Sequence, residues 1–199
     1  MIPLHVRAPV SHLIAIDELR PTQICIGLLE VKEKAARLKE TPKKDQAKHV
    51  IPCVHGPKDR FFVIDYHHLC RALLLSGTKK VSVVPVLDLR KLPKDEFWPY
   101  MDCAGLVHPF DEHGKRKAYA DIPKAIADMP DDLYRSLDGA LRRKGFYAKD
   151  AAPFSEFLWA DFLRHRVTST DYKLMLKHSS ELAQTPEAAH LPVWCGAVD

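Results

Sequence analysis

The chain has 199 residues, 46% of them apolar and 28% charged, with a formal net charge of +4; this excludes a disordered or low-complexity polymer and fits one sizeable core, or a core with a helical extension. The mild basic excess allows a polyanionic partner without requiring one. Five widely spaced cysteines with no CxxC pair argue against a disulfide framework or a zinc knuckle, and the opening "MIPLHVRAPV" has no continuous apolar run, so a soluble, cytoplasmic chain without signal peptide or membrane span is expected.

In chain order, "HLIAI" (12–16) reads as a short buried strand, and "DELRPTQ" as a turn in which Pro21 fixes the backbone before a helix. From Ile24 to Glu40, apolar residues recur at three- and four-residue steps through Leu28, Val31, Ala35 and Leu38, while Glu30, Lys32, Glu33, Lys34 and Lys39 take the opposite face. That pattern predicts an amphipathic helix. "HVIPCV" and "RFFVID" are β-rich runs joined by "HGPKD", a hairpin by composition. Next comes a strand to Ile64, Asp65 as N-cap, a helix from Tyr66 to Ser76, and Gly77 as its stop. "KKVSVVPVLDL" is apolar enough for a buried strand, with Pro85 unsuited to central pairing. The first 90 residues thus alternate β-α-β-β-α-β, a compact α+β unit.

After Leu92 the character changes, and we divide the chain at 1–92 and 93–199. "PKDEFWPYMD" reads as a short helix and "VHPFDEHGKRKAYADIP" as a polar connector. Three helical stripes follow: Leu133, Leu137 and Leu141; Phe154, Phe157, Leu158 and Phe162; and Tyr172, Met175 and Leu176. The second is core or a groove for a protein partner, and the last dozen residues are expected to fray.

The stretch "FVIDYHHLCRALLLSG" (62–77) carries the chemistry. A strand that turns directly into a helix leaves the first backbone N–H groups unpaired, a site that attracts phosphate. His67, His68 and Arg71 fall in or just past that first turn, spaced so that His68 and Arg71, or His67 and Arg71, share a face. An imidazole and a guanidinium there suit a phosphate cradle; equally, Asp-x-His-His suits simple capping of the helix. Zinc fits worse, because adjacent histidines diverge by about 100° on a helix and no third ligand is near. Cys70 and Leu73 are expected in the core.

Strand, "DYHHLCRAL" and helix, preceded by "LRPTQ", resemble the ParB/sulfiredoxin fold and its ParB-like nuclease branch. In that superfamily a G-x-H/R-R-x-x-A motif opens a helix that binds nucleotide phosphates. Tyr66 here stands at the glycine, His68 at the His/Arg, Leu69 at the arginine and Ala72 at the small residue. The resemblance covers about residues 12–90 and implies a nucleoside triphosphate (ATP or CTP), with Mg²⁺ as a companion ion, slow hydrolysis, and action on DNA as a metal-dependent nuclease. It places His68 and Asp65 as catalytic candidates, Asp65 through Mg²⁺, and Arg20, Gln23, His67, His68 and Arg71 around the nucleotide.

The departures are informative. His67 occupies the place of the sulfiredoxin cysteine, which disfavours that reductase. Gln23 stands where the related serine kinases have a glutamate base, and an amide cannot take a proton; Glu18 and Glu30 do not match residue for residue. Lys115, Arg116 and Lys117, with Arg142, Arg143 and Lys144, are the nucleic-acid candidates, since phosphate contacts need only positive charge. The competing reading is a non-catalytic interaction or DNA-binding adaptor module that keeps the fold.

Overall fold

The computed structural model describes residues 10–42, 49–150 and 154–196. Five strands form one sheet: β1 (His12–Ala15), β2 (Arg20–Pro21), β3 (Val50–Gly56), β4 (Arg60–Val63) and β5 (Lys80–Asp88), in the order β1-β5-β3-β4-β2. β3 and β4 form the expected antiparallel hairpin, and Lys58 and Asp59 at its tip both take positive φ, as a tight hairpin turn demands. β5 runs antiparallel to β1 and parallel to β3. Pro85 is tolerated inside this strand because the register shifts beside it: Cys53 faces Pro85, Val54 faces Leu87, and Val86 is the extra residue of a bulge.

Helix α1 (Leu28–Glu40) and helix α2 (His67–Leu75) pack together on one face of the sheet. Val31, Ala35 and Leu38 of α1, and Cys70, Ala72 and Leu73 of α2, close one core over Ile51, Val63, Val81 and Val83. A second core joins Val54 and Phe62 to Phe97 and Met101 of α3 (Lys94–Cys103). The third belongs to α4 (Leu133–Arg143), α5 (Ser155–Arg164) and α6 (Tyr172–Leu182), around Leu137, Leu141, Trp159, Leu163 and Met175. Among the described residues no helix is long and apolar enough to cross a membrane.

Several expectations are corrected. Arg20–Pro21 is not a turn but a short strand, paired parallel with Phe62 and Val63. The first helix starts at Leu28 rather than Ile24, because the preceding segment is extended and held by the connector: His108 N donates to the Thr22 carbonyl (2.8 Å), Ile26 N to that of Pro130 (2.9 Å), and Asp132 N to that of Ile26 (2.8 Å). Ile24 therefore faces the second core. The N-cap of α2 is Tyr66, left-handed at φ 66° and ψ 24°, while Asp65 Oδ1 only accepts from Tyr66 N (2.6 Å). At the other end Gly77 (φ 85°) does stop the helix, with Thr78 N donating to Leu73 O. The C-terminal residues up to 196 do not fray: Leu191 is buried and Trp194 Nε1 donates to the Ala183 carbonyl (2.7 Å). Residues 197–199 lie outside the described residues. Of the aromatic stripe of α5, Phe157 and Phe162 are core, Phe154 is half-buried and Leu158 is exposed; Trp159, which the stripe did not include, is buried instead.

Candidate functional site

The turn into α2 opens onto a cavity of about 200 Å³. Cys70 is the first residue of the helix whose N–H finds a backbone acceptor, the Tyr66 carbonyl at 2.9 Å. Those of His67, His68 and Leu69, which line the cavity with their residues, have none among the described residues. Three aligned donors at the positive end of a helix make an anion-attracting wall.

The two histidines take different parts. His67 is buried (3% exposed), and its Nε2 accepts the Thr22 N–H at 3.2 Å while Thr22 Oγ1 donates to the Val63 carbonyl at 2.7 Å. It ties the start of α2 to the segment after β2, and burial pushes its pKa down to about 3. His68 Nε2 accepts the Gly27 N–H at 3.1 Å. That bond fixes the neutral tautomer, leaving Nδ1 as an N–H donor with no protein partner among the described residues. Burial also holds His68 well below the usual imidazole pKa, against the pull of Glu30 Oε2 at 3.6 Å.

The facing wall comes from α1 and the C-terminal helices. Glu30, only 4% exposed, sits where α1 meets α4 and is surrounded by cations: Lys34 Nζ at 2.5 Å, Arg142 at 3.6 Å and Arg143 at 3.9 Å. Burial alone would raise its carboxyl, but the cations Lys34 and Arg135 hold it at about 2, with no charge needed on the neutral His68. Arg135 is 3% exposed, pairs with Asp138 at 2.6 Å and lies 4.0 Å over the Phe157 ring. Its Nε has no partner in a buried position. Arg142 reaches Glu156 at 3.6 Å, and Lys149 completes this side of the cavity. The arrangement can hold a phosphate-bearing ligand between helix donors and guanidinium groups.

Of the sequence candidates, Asp65, His67, His68, Gln23 and Arg142 meet at this cavity. Gln23 Nε2 donates to the Cys25 carbonyl (2.7 Å). Arg20 and Arg71 are not on its wall: Arg20 donates to the Lys124 carbonyl, and the cradle that paired His68 with Arg71 is instead His68 with Arg135 and Arg142. Arg116 is paired with Asp102 and Lys117 with Asp111 (3.0 Å), so that basic cluster is partly neutralised. Arg143 pairs with Glu33 at 2.9 Å. Lys115 and Lys144 are exposed and away from the cavity. In "HPFDEHG", His108 is packed against Phe157 with ring centres 3.7 Å apart, and Asp111 Oδ1 accepts the His113 and Lys115 N–H groups as a loop staple.

Glu30, Lys34, Arg135, Asp138, Lys149 and Glu156 are the site residues that sequence reasoning did not find. Glu30 and Lys34 were legible only as an i,i+4 pair on what reads as a solvated face. Arg135 and Asp138, three apart on α4, flank the Leu133–Leu137–Leu141 stripe and gave the one available hint.

Residues 12–165 match the model of a family described as "Putative ParB-like nuclease". The crystal structure of protein Atu1540 from Agrobacterium tumefaciens is similar at 47% identity and a TM-score of 0.91, over 97% of this chain and 100% of that one. No curated protein matches the chain. The matched family span runs past the sheet into α5, and so includes both walls of the cavity up to Glu156.

Proposed function

Since the chain belongs to the ParB-like nuclease family and has a ParB/sulfiredoxin-like fold, we propose that its cavity binds a nucleoside triphosphate through the phosphates and hydrolyses it slowly, and that the protein acts on DNA. The observation that carries this reading is the meeting of the unpaired α2 N–H groups with Arg135, Arg142, Lys34 and Lys149 across one cavity. Helix donors and guanidinium forks both match phosphate oxygens. His68 adds the Nδ1–H that its bond to Gly27 leaves over.

In hydrolysis, water adds to the γ-phosphorus, the bond to the β,γ-bridging oxygen breaks, and inorganic phosphate and the nucleoside diphosphate leave with a proton passed to solvent. These donors stabilise the charge on the transferred group. Turnover is slow because the wall offers a weak base: the His68 Nε2 lone pair is engaged, and Glu30 at about 2 is a poor proton acceptor. Mg²⁺ binds with one or two carboxylates plus substrate phosphates. Asp65 is the exposed carboxylate at the rim, with Oδ1 taken by Tyr66 N and Oδ2 left for such an ion. Among the described residues no group of three metal-binding side chains exists, so the triphosphate itself would complete the coordination. Bound there, the ion would neutralise charge on the β- and γ-oxygens.

The test is a thermal-shift panel of ATP, CTP, GTP and ADP with and without Mg²⁺, because a ligand of the native state raises stability by mass action. His68→Ala and Arg142→Ala should each weaken binding by about 1.5–3 kcal/mol, the loss of one charge-assisted contact. Unchanged affinity in both, with circular dichroism intact, removes the phosphate reading. For DNA, retention should fall steeply between low and high salt as counterions are released, and nicking of plasmid should stop in EDTA. The adaptor reading draws support from Glu30, Asp138 and Glu156, which offset the cations of the cavity; salt-sensitive DNA binding without nucleotide binding or nicking would favour it.

A further inference from the structure

Two aromatic residues at this cavity hold a backbone conformation that side chains of their size seldom adopt. Tyr66 caps α2 at φ 66° and Phe154 caps α5 at φ 60°, and both line the cavity. A bulky residue in the left-handed region is an outlier, and such positions persist where the surroundings over-determine them. For Tyr66 the surroundings are visible: its N–H is fixed by Asp65 Oδ1 and its carbonyl by Cys70 N. The ring itself is not used up in the core. It is 40% exposed, with Lys149 Nζ over it at 5.4 Å from its centre. Phe154, by contrast, leans toward His108, with ring centres 5.6 Å apart, and closes the inner side.

We propose that the exposed Tyr66 ring is a stacking platform for the nucleobase of the ligand whose phosphates lie against α2, so that the site takes a nucleoside phosphate and rejects bare polyphosphate. The inference rests on the phosphate reading of the cavity and adds the part of the ligand that reading leaves unspecified. A ring placed directly before the first helical N–H group lines the same cavity as the phosphate donors, so one ligand can meet both. Lys149, whose Nζ lies over the ring and which lines the same cavity, is a cation for the phosphate side. Stacking on an aromatic face is tolerant of base identity, because every base has a π-face. The phenol OH has no hydrogen-bond partner among the described residues and is not needed for the contact.

The experiment compares ATP and inorganic triphosphate by titration calorimetry on the wild type, Tyr66→Phe, Tyr66→Gly and Tyr66→Asn. Glycine and asparagine both suit the positive φ, so loss of the ring is tested without loss of the turn, and either variant serves if the other folds poorly. The expected result is ATP bound at least about tenfold more tightly than triphosphate by wild type and Tyr66→Phe, from one base stack. In Tyr66→Gly or Tyr66→Asn that advantage should vanish while triphosphate affinity is unchanged. Equal affinity for the two ligands in wild type, or an undiminished ATP advantage in the ring-less variants, overturns the stacking role and leaves the phosphate reading standing. Binding of neither ligand to wild type overturns both.

Discussion

His67 and His68 are neighbours in the chain, yet one is a tie and the other a wall. Both, with His108, are kept neutral by burial: His67 and His108 near pKa 3 and His68 well below the usual range. An unfolded histidine titrates near 6.5, so below that pH the unfolded chain binds up to three protons that the folded one refuses. Their contribution is fully present above pH 6.5 and is lost as pH falls, with a limiting slope of about 4 kcal/mol per pH unit for three groups. Glu30 adds in the same direction lower down, since its folded value of about 2 makes its contribution present above about 4.5 and lost below. Urea midpoints at pH 7.5, 6.0 and 5.0 should show the fall beginning near 6.5. In His67→Gln the slope should be shallower by about 1.4 kcal/mol per pH unit; an unchanged slope would mean that His67 is not kept neutral. Removing the charge of Glu30 acts differently. In Glu30→Gln the cations Lys34, Arg142 and Arg143 lose their common partner, and a buried pair broken on one side costs about 3–5 kcal/mol. The unfolding free energy at pH 7.5 should drop by that amount, and a drop below about 1 kcal/mol would show the cluster to be well solvated.

Among the elements, α1 shows most plainly why a boundary can hide from the sequence. Its N-cap is Gly27, which has no side chain to cap with. The first N–H groups are instead met from more than a hundred residues away: Leu28 N by Asp131 Oδ1 at 2.8 Å and Leu29 N by Ser136 Oγ at 3.2 Å. No local signature could mark a start that is capped from α4 and its approach. The same contact explains the glycine. A methyl group on Gly27 would come within 2.8 Å of Ser136 N and Oγ and 2.9 Å of the Arg135 carbonyl carbon. Helix backbone yields little, so Gly27→Ala should destabilise by about 1–3 kcal/mol. It should also weaken ligand binding, because Gly27 N–H holds His68. Asp131→Ala, which only uncaps α1, should cost about 1 kcal/mol. Chemical denaturation of both variants checks the order; a larger loss for Asp131→Ala would mean that the cap, not the close approach, fixes α1.

For the whole molecule, the family match ends at residue 165 but the third core does not. Met175, Ala183, Ala188 and Leu191 pack against Leu137, Leu141 and Trp159, and Trp159 Nε1 donates to the Pro192 carbonyl at 3.0 Å. A chain cut after Arg164 would bare that apolar face, and α4, which carries Arg135 and Arg142, would lose its backing. Such a truncation should keep much of its far-UV helix signal but lose near-UV dichroism and bind a hydrophobic dye; a sharp, native-like melt would refute this. What the sequence determined by itself is what short-range physics writes into it. The strand and helix alternation, the β3–β4 hairpin, the stop at Gly77, the buried Cys70 and Leu73, and a helix carrying His67 and His68 directly after β4 all follow from patterns a few residues long. The wall facing those histidines was decided only by tertiary structure. Glu30 reads as a surface residue until α4 crosses α1 and buries it among Arg135, Arg142 and Lys34, and Arg71 reads as a ligand residue until the packing of α2 turns it from the cavity. Burial and long-range charge pairing depend on which surfaces meet, and no window of the chain shorter than the distance from Glu30 to Arg142 contains that information.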